Sequence, residues 1–137
     1  MARPRILVAD DEEGIRESLK LILSGQYEVT FAADGEETLS KLTRERFSLA
    51  LLDIKMPKLD GLEIMKRLKQ QQIQTPVLIL TAYQSVELAK EAIKLGARDY
   101  LPKPFDREQI LEAVCGILSE SGPSSAAISA KATKRQT

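Results

Sequence analysis

Five apolar segments separated by helix-like segments constrain the fold of this chain more than any other feature. Three of the segments contain continuous rather than alternating hydrophobic residues. Continuous runs of this length are typical of strands covered on both faces in a parallel sheet. The five segments are RILVA (5–9), YEVTFA (27–32), SLALL (48–52), PVLIL (76–80) and RDYL (98–101).

The intervals between these segments have helical periodicity. In the first interval, apolar residues recur at i, i+4, i+7 and i+8 from Ile15. Asp34 and Glu37 resemble a capping box at the start of the second interval, and Asp106 is placed to cap the last helix. Because strand and helix patterns alternate five times, we predict a (βα)5 doubly wound parallel sheet.

Composition limits the class of protein. A chain of 137 residues with 43% apolar and 29% charged residues is typical of one soluble globular domain. No apolar run approaches the ~18 residues of a membrane span, and the chain does not open with a signal-peptide pattern, so we expect no membrane insertion. The single cysteine, Cys115, cannot form an internal disulfide and fits a reducing cytosol, so we expect a cytoplasmic location.

The last segment differs from the rest of the chain. SGPSSAAISAKATKRQT (121–137) is rich in Ser and Ala and has three basic residues and no acidic residue. We interpret residues 1–120 as the folded domain and 121–137 as a flexible tail or a linker to a further domain. Residues 1–120 then hold 17 basic and 20 acidic residues, a net charge of −3, so we expect no direct nucleic-acid binding by this part.

Chemically reactive side chains follow four of the five strand-like segments. Asp10 and Asp11 follow the first segment, Asp53 the third, Thr81 the fourth and Lys103 the fifth. In open α/β sheets, ligands bind outside the carboxyl ends of the strands. We therefore expect these side chains to form one site, and the second strand, which offers no reactive side chain, to lie at a sheet edge.

Each of these residues also has a simpler explanation. Asp11 could cap the first helix and Thr81 the fourth, while Asp53 could be an ordinary loop acid. Lys103, between two prolines in YLPKPFD (100–106), could be a solvated turn residue. The joint occurrence of three carboxylates, a hydroxyl and an amine at one end of the sheet favours the functional interpretation.

The chemistry of this set points to phosphoryl transfer. Two unit charges ~4 Å apart repel by ~4 kcal/mol at an effective dielectric constant of about 20, so three carboxylates need a cation among them. Oxygen ligands without His or Cys select a hard cation such as Mg²⁺, with Mn²⁺ as a substitute. A carboxylate can attack phosphorus, while a metal ion, Lys103 and Thr81 would neutralise the phosphoryl oxygens. The site therefore predicts a phosphorylated aspartate.

Residues 4–119 resemble the receiver domains of two-component response regulators. This resemblance implies a flavodoxin-like (βα)5 fold with strand order 2-1-3-4-5. In that family the bond between Lys103 and the following proline is usually cis. The matching motifs are Asp10-Asp11, Asp53 in LLDIKMPKLDG, Thr81 in TAYQS, and Tyr100 with Lys103 in DYLPKPF.

The resemblance also implies the roles of the central residues. Asp53 would accept the phosphoryl group from the phosphohistidine of a sensor histidine kinase or phosphotransfer protein. The chain has no histidine, so the donor imidazole would belong to the partner. The Mg²⁺ ligands would be Asp10, Asp11, Asp53 and the backbone carbonyl of Lys55, and the protein would catalyse only its own phosphorylation and dephosphorylation.

The resemblance implies a conformational switch as well. Thr81 and Tyr100 would reorient on phosphorylation, and Lys55 and Tyr83 would tune the lifetime of the phosphoryl group. The surface of the fourth helix, fifth strand and fifth helix would be a dimerisation face. TAYQSVELAKEAIKLGARDYLPKPF (81–105) also resembles receivers attached to ATPase-type transcription activators.

Two other function classes compete with this interpretation. A phosphatase with an aspartyl intermediate of the haloacid-dehalogenase type would place a second acid two residues after its nucleophile. Lys55 stands there, which disfavours turnover of external substrates. A nucleotide-binding module would need a glycine-rich first turn, and the sequence there is the acidic ADDEEG (9–14).

Overall fold

A computed structural model of the chain describes residues 3–82 and 85–119. Five parallel strands form one sheet in the order β2-β1-β3-β4-β5, which confirms the predicted topology and the edge position of the second strand. The strands are β1 (Arg5–Ala9), β2 (Glu28–Ala32), β3 (Leu49–Leu52), β4 (Val77–Thr81) and β5 (Asp99–Pro102). The helices are α1 (Glu13–Leu23), α2 (Gly35–Arg44), α3 (Gly61–Gln70), α4 (Val86–Lys94) and α5 (Arg107–Ser119).

The continuous apolar runs are explained by two separate hydrophobic cores, one on each face of the sheet. In β1, Ile6 and Val8 face α1 and α5, whereas Leu7 and Ala9 face α2, α3 and α4. The same alternation holds in β3 and β4, so every residue of β3 is buried. Each fully buried aliphatic side chain contributes about 1.5–3 kcal/mol, which makes a polar residue costly within these strands and confines polar chemistry to their ends.

The ends of β4 and β5 differ from the sequence-based boundaries. Thr81 is the last residue of β4, and α4 is instead capped by Ser85, whose hydroxyl accepts the Leu88 N–H at 3.3 Å. Pro102 is the last residue of β5, which the apolar pattern ended one residue earlier. A proline is tolerated there because β5 is an edge strand.

Helix caps follow the predicted pattern with one offset. Asp34 accepts the N–H of Glu37 at 2.8 Å, but the Glu37 carboxylate accepts the N–H of Ala33 rather than that of Asp34. Asp106 forms the reciprocal pair with Gln109, at 2.8 and 2.9 Å. The N-cap of α1 is Glu12, so the alternative in which Asp11 caps this helix is wrong.

Backbone hydrogen bonds beyond the strands align the residues that follow them. The N–H of Asp10 donates to Ala32 O at 3.1 Å, and the N–H of Asp53 donates to Ala9 O at 3.0 Å. These bonds extend the hydrogen bonding of the sheet by one residue beyond β1 and β3. Asp10 and Asp53 are therefore held at the carboxyl-terminal edge of the sheet.

Some predictions fall outside the described residues. Tyr83 lies there, and so does the tail 121–137. Within 3–82 and 85–119, no helix combines the length and apolar character needed to cross a membrane. Cys115 lies on α5 as an exposed free thiol.

Candidate functional site

Three carboxylates meet at the carboxyl ends of β1 and β3. Asp10, Asp11 and Asp53 each offer one oxygen, and these oxygens lie within 4.8 Å of one another. Asp10 and Asp53 are buried, whereas Asp11 is exposed. Buried carboxylates are stable only when they are paired and hydrogen-bonded, so this cluster requires positive charge next to it.

Lys103 supplies that positive charge. Its Nζ donates to Asp10 Oδ2 at 2.7 Å, to Asp53 Oδ2 at 3.0 Å and to Glu12 Oε1 at 3.3 Å. Burial by itself would lower the pKa of the Lys103 ammonium, but the hydrogen bonds that it donates to Asp10 and Asp53 outweigh this effect and raise that pKa above its usual value. Lys103 is therefore a fixed cation rather than a solvated turn residue.

The Asp10 carboxyl responds to the crowding of the site. Burial raises its pKa above the usual value, and the hydrogen bonds from Lys103 and from the Glu12 N–H, at 2.9 Å, offset only part of this effect. The negative charge of Asp53 raises the pKa further. A site of this kind gains from an additional cation.

The backbone around Lys103 explains the position of its side chain. The N–H of Lys103 donates to Thr81 O at 2.9 Å, which ties the turn after β5 to the end of β4. The peptide bond between Lys103 and Pro104 is cis, as the family resemblance implied. With the turn anchored to β4 in this way, the Lys103 ammonium group reaches across the strand ends to Asp53.

Thr81 and Tyr100 occupy neighbouring strands but different surroundings. Thr81 is fully buried at the end of β4. Tyr100 is half-buried and, like Leu88 and Leu95, packs against the hydrophobic core that faces α2, α3 and α4. Burial raises the pKa of its phenol, and a hydrogen bond with the backbone of Ser85 partly offsets the rise. In this structure the Tyr100 hydroxyl therefore contacts the start of α4.

The loop after β3 brings two further residues to Asp53. Lys55 has an exposed side chain, and its N–H points to Asp53 Oδ1 at 3.4 Å. Gly61, the first residue of α3, donates its N–H to Ile54 O at 2.8 Å. A Cβ at Gly61 would lie 2.5 Å from the carbonyl oxygen of Asp53, so only glycine permits this close approach.

Sequence reasoning did not single out Glu12, Arg16 or Gly61. Arg16 Nη1 donates to the carbonyl oxygen of Asp10 at 2.7 Å, which anchors the loop after β1. Glu12 reaches Lys103, although it is 91 positions away in the chain. The sequence indicates only that Glu12 directly follows the acid pair in ADDEEG. This position does not determine where an exposed side chain points, so the contact with Lys103 could not be predicted.

The residues of the acidic cluster fit a hard divalent cation. The donors are carboxylate oxygens alone, two of them buried and one exposed, and they converge within ligand-sharing distance. Such a donor set is typical of Mg²⁺ rather than of a metal that prefers nitrogen or sulfur. Asp10, Asp11 and Asp53 are thus the residues that would hold the cation.

Two clefts lie away from this cluster, at the amino-terminal end of the strands. Their volumes are about 670 and 1240 Å³, and both are lined by residues 72–76 and by Arg98. None of the carboxylates of the acidic cluster lines either cleft. The candidate functional site therefore lies at the carboxyl-terminal edge of the sheet and not in either of these clefts.

Comparison with known sequences identifies a protein family that matches most of this chain. A family model described as the response regulator receiver domain matches residues 6–115. Response regulator MprA from Mycobacterium leprae is 42% identical over 124 residues, which cover 90% of this chain and 54% of that protein. The chain thus spans about half the length of the curated relatives that it matches.

Solved structures agree with the sequence comparison. The receiver domain of the Francisella response regulator 1452 gives a TM-score of 0.82 at 35% identity and covers 88% of this chain and 100% of that one. A CheY-like response regulator receiver domain protein from Methanospirillum hungatei gives 0.83 at 35% identity, with 88% and 97% covered. With its (βα)5 fold and acidic strand-end site, this chain belongs to the family of response regulator receiver domains, the phosphoacceptor modules of two-component signalling.

Proposed function

We propose that Asp53 is the residue that accepts the phosphoryl group. The observation that carries this proposal is the contact between its buried carboxylate and the Lys103 ammonium at 3.0 Å, at the end of the central strand β3. Asp10 is also buried and in contact with Lys103, but its other oxygen accepts the Glu12 N–H at 2.9 Å, whereas the Lys55 N–H lies 3.4 Å from the other oxygen of Asp53. Asp53 is therefore better placed to offer an oxygen to phosphorus.

The reaction is an in-line displacement on phosphorus. One carboxylate oxygen of Asp53 forms the new P–O bond while the P–N bond of a phosphohistidine breaks. The imidazole nitrogen of the donor leaves with the bonding electron pair. Lys103 stabilises the negative charge on the equatorial phosphoryl oxygens, and the hydroxyl of Thr81 donates a hydrogen bond to one of them.

The metal site belongs to the same proposal. Asp10, Asp11, Asp53 and the backbone carbonyl of Lys55 would hold Mg²⁺, for which Mn²⁺ can substitute. When bound, the cation supplies positive charge that neutralises carboxylate and phosphoryl oxygens. The convergence of three carboxylate oxygens within 4.8 Å supports this assignment.

The phosphodonor is a sensor histidine kinase or a phosphotransfer protein. Residues 1–137 contain no histidine, so the donor imidazole would come from outside this sequence. A receiver domain is a signalling module rather than an enzyme acting on external substrates. Lys55 supports the same view, because it stands where a phosphatase with an aspartyl intermediate would have its acid. The protein then catalyses only the gain and loss of its own phosphoryl group, at rates that Lys55 and Tyr83 tune.

Phosphorylation switches the surface around α4. Thr81 moves towards the phosphoryl group, and Tyr100 on the adjacent strand changes its position beside α4. Val86 and Ile93 are 67% and 48% exposed on that helix, which supports a homodimer through the face formed by α4, β5 and α5. Residues 1–120 would form the receiver, and residues 121–137 would be a tail or a link to an output domain.

Intact-mass measurement tests the assignment of Asp53. With Mg²⁺ and acetyl phosphate, the wild type should gain one hydroxylamine-labile phosphoryl group, and Asp53→Asn should gain none. Asp60→Asn is the matched control, because Asp60 is the next acid in the same loop and asparagine also caps helices well. Labelling of Asp53→Asn at the wild-type level would refute the assignment.

A further inference from the structure

Glu12 is placed in a way that the helix it begins does not explain. It is the N-cap residue of α1, and its carbonyl accepts the N–H of Arg16 at 3.1 Å. A side chain at this position usually accepts a hydrogen bond from the first turn of the helix. The Glu12 carboxylate accepts no such bond and reaches Lys103 instead.

The three carboxylates around Lys103 are not equivalent. An ammonium group has three hydrogen atoms to donate, and Asp10, Asp53 and Glu12 offer three acceptors. A phosphoryl oxygen that binds Lys103 must therefore compete with one of them. Glu12 has the longest contact, at 3.3 Å against 2.7 and 3.0 Å. Its side chain is also 63% exposed, whereas those of Asp10 and Asp53 are 3% and 7% exposed.

Of the three carboxylates, Glu12 is therefore the one that a phosphoryl oxygen displaces from Lys103 at the lowest cost. Water can solvate the released Glu12 carboxylate at little cost, because the side chain already lies mostly in solvent. Release of Asp10 or Asp53 would leave a buried carboxylate without its cation. An incoming dianionic phosphoryl group also meets the negative charge of Glu12 near Lys103, which opposes its approach.

We propose that Glu12 is a positioning residue that occupies the place on Lys103 later taken by a phosphoryl oxygen, and that it thereby restrains phosphorylation by small anionic donors. The inference rests on the proposed phosphorylation of Asp53. Glu12 releases Lys103 when the donor binds, so its removal makes the ammonium available earlier and lessens the repulsion of the donor.

Rate constants for phosphorylation by acetyl phosphate test this role. Glu12→Ala should react about two- to five-fold faster than the wild type, the range that corresponds to a largely exposed ion pair. Glu13→Ala is the matched control, since Glu13 is the next residue, lies in the first turn of α1 and is also an exposed glutamate. It loses the same charge and the same side chain and should react at the wild-type rate.

A metal-free measurement separates the contact from a general charge effect. The ¹⁵N resonance of the Lys103 ammonium, recorded by NMR without Mg²⁺, should move in Glu12→Ala and stay in place in Glu13→Ala. Glu12→Gln, which keeps the side-chain length, should show a smaller change of the same sign. Any of three results would overturn the inference: an unmoved Lys103 resonance, equal acceleration in both alanine variants, or slower reaction of Glu12→Ala. If the wild type gains no adduct on Asp53, the proposed function fails and the inference fails with it.

Discussion

Lys103 and the acids around it form a site in which negative charge exceeds positive charge. One buried ammonium contacts the two buried carboxylates Asp10 and Asp53, and the exposed carboxylate of Asp11 adds a third negative charge. The buried pairs are held in place because breaking one leaves an uncompensated charge in the interior. The remaining negative charge is what allows the same residues to accept a divalent cation and then a phosphoryl group.

Replacement of Lys103 should therefore be costly to the fold. In a buffer that contains a chelator, Lys103→Met is expected to lower the free energy of unfolding by about 3–5 kcal/mol at neutral pH, because Asp10 and Asp53 lose their buried cation. Lys58→Met is the control, since Lys58 pairs with Asp34 at 3.4 Å on the surface and should cost at most about 1 kcal/mol. Urea unfolding measures both values, and equal losses would contradict the buried pairing.

Sequence reasoning reached the residues of the site but not all of their contacts. Asp10, Asp53 and Lys103 could be found because each one follows a recognisable apolar run and the carboxyl ends of parallel strands lie at one edge of the sheet. Glu12 could not be found in this way, because an exposed, flexible side chain near a helix start has several possible partners. Gly61 could not be found either, because its importance depends on an approach between α3 and β3 that has no local pattern.

Helix α3 is the element that most directly supports the site. Its N-cap, Asp60, accepts the N–H of Glu63 at 2.8 Å, which starts the helix at Gly61. Gly61 then lies against the backbone of Asp53 and Ile54. The start of α3 and the position of the proposed phosphoacceptor are therefore coupled.

A methyl group at Gly61 should disturb both the fold and the chemistry. Gly61→Ala is expected to lose about 1–3 kcal/mol of stability, because α3 must move away from β3. The displacement of Asp53 should slow phosphorylation on the order of tenfold, since reacting groups tolerate little misplacement.

Gly14→Ala is the control for this substitution. Gly14 lies in α1, and no atom beyond its chain neighbours and the nearby backbone of that helix lies within 4 Å of the place that a methyl group would take. Alanine should therefore stabilise the protein by about 0.5–1 kcal/mol. Thermal unfolding and intact-mass kinetics provide the readouts. Equal behaviour of the two variants would show that the contact between α3 and β3 is unimportant.

The elements themselves were largely predictable, but some of their ends were not. The apolar run predicts a strand over residues 5–9 with the observed bounds, because Pro4 precedes the run and Asp10 follows it. Thr81 was expected after β4, yet it belongs to the strand because a threonine fits a buried strand end when its hydroxyl is satisfied. Pro102 likewise extends β5 by pairing with Thr81 along the sheet edge.

At the scale of the whole molecule, the sheet connects the site to the surface around α4. Lys103 and Thr81 are joined by a backbone hydrogen bond at 2.9 Å, and β4 and β5 place Ile79 beside Tyr100. Tyr100 in turn contacts Ser85 at the start of α4. A displacement at Thr81 therefore has a short, packed route to α4, and signalling requires that this arrangement has two populated states.

Loss of the Thr81 hydroxyl should uncouple the site from that surface. Thr81→Ala is expected to bind the phosphoryl mimic beryllofluoride at Asp53 but to show less than half of the wild-type NMR shift changes at Tyr100 and in α4, because a moving donor is missing. Thr81→Ser keeps the hydroxyl and should restore most of the response. Full wild-type shifts in Thr81→Ala would mean that this residue only packs the end of β4.

Asp53, and not a neighbouring acid, should carry the phosphoryl group, and the position of the modification can be read directly. Borohydride reduction of the phosphorylated protein converts an aspartyl phosphate to homoserine at the modified position, and peptide mass spectrometry then identifies that position. We predict homoserine at position 53 alone, and none when Mg²⁺ is removed by a chelator. Homoserine at position 10 or 11, or no homoserine in a protein that has gained a phosphoryl group, would contradict the assignment.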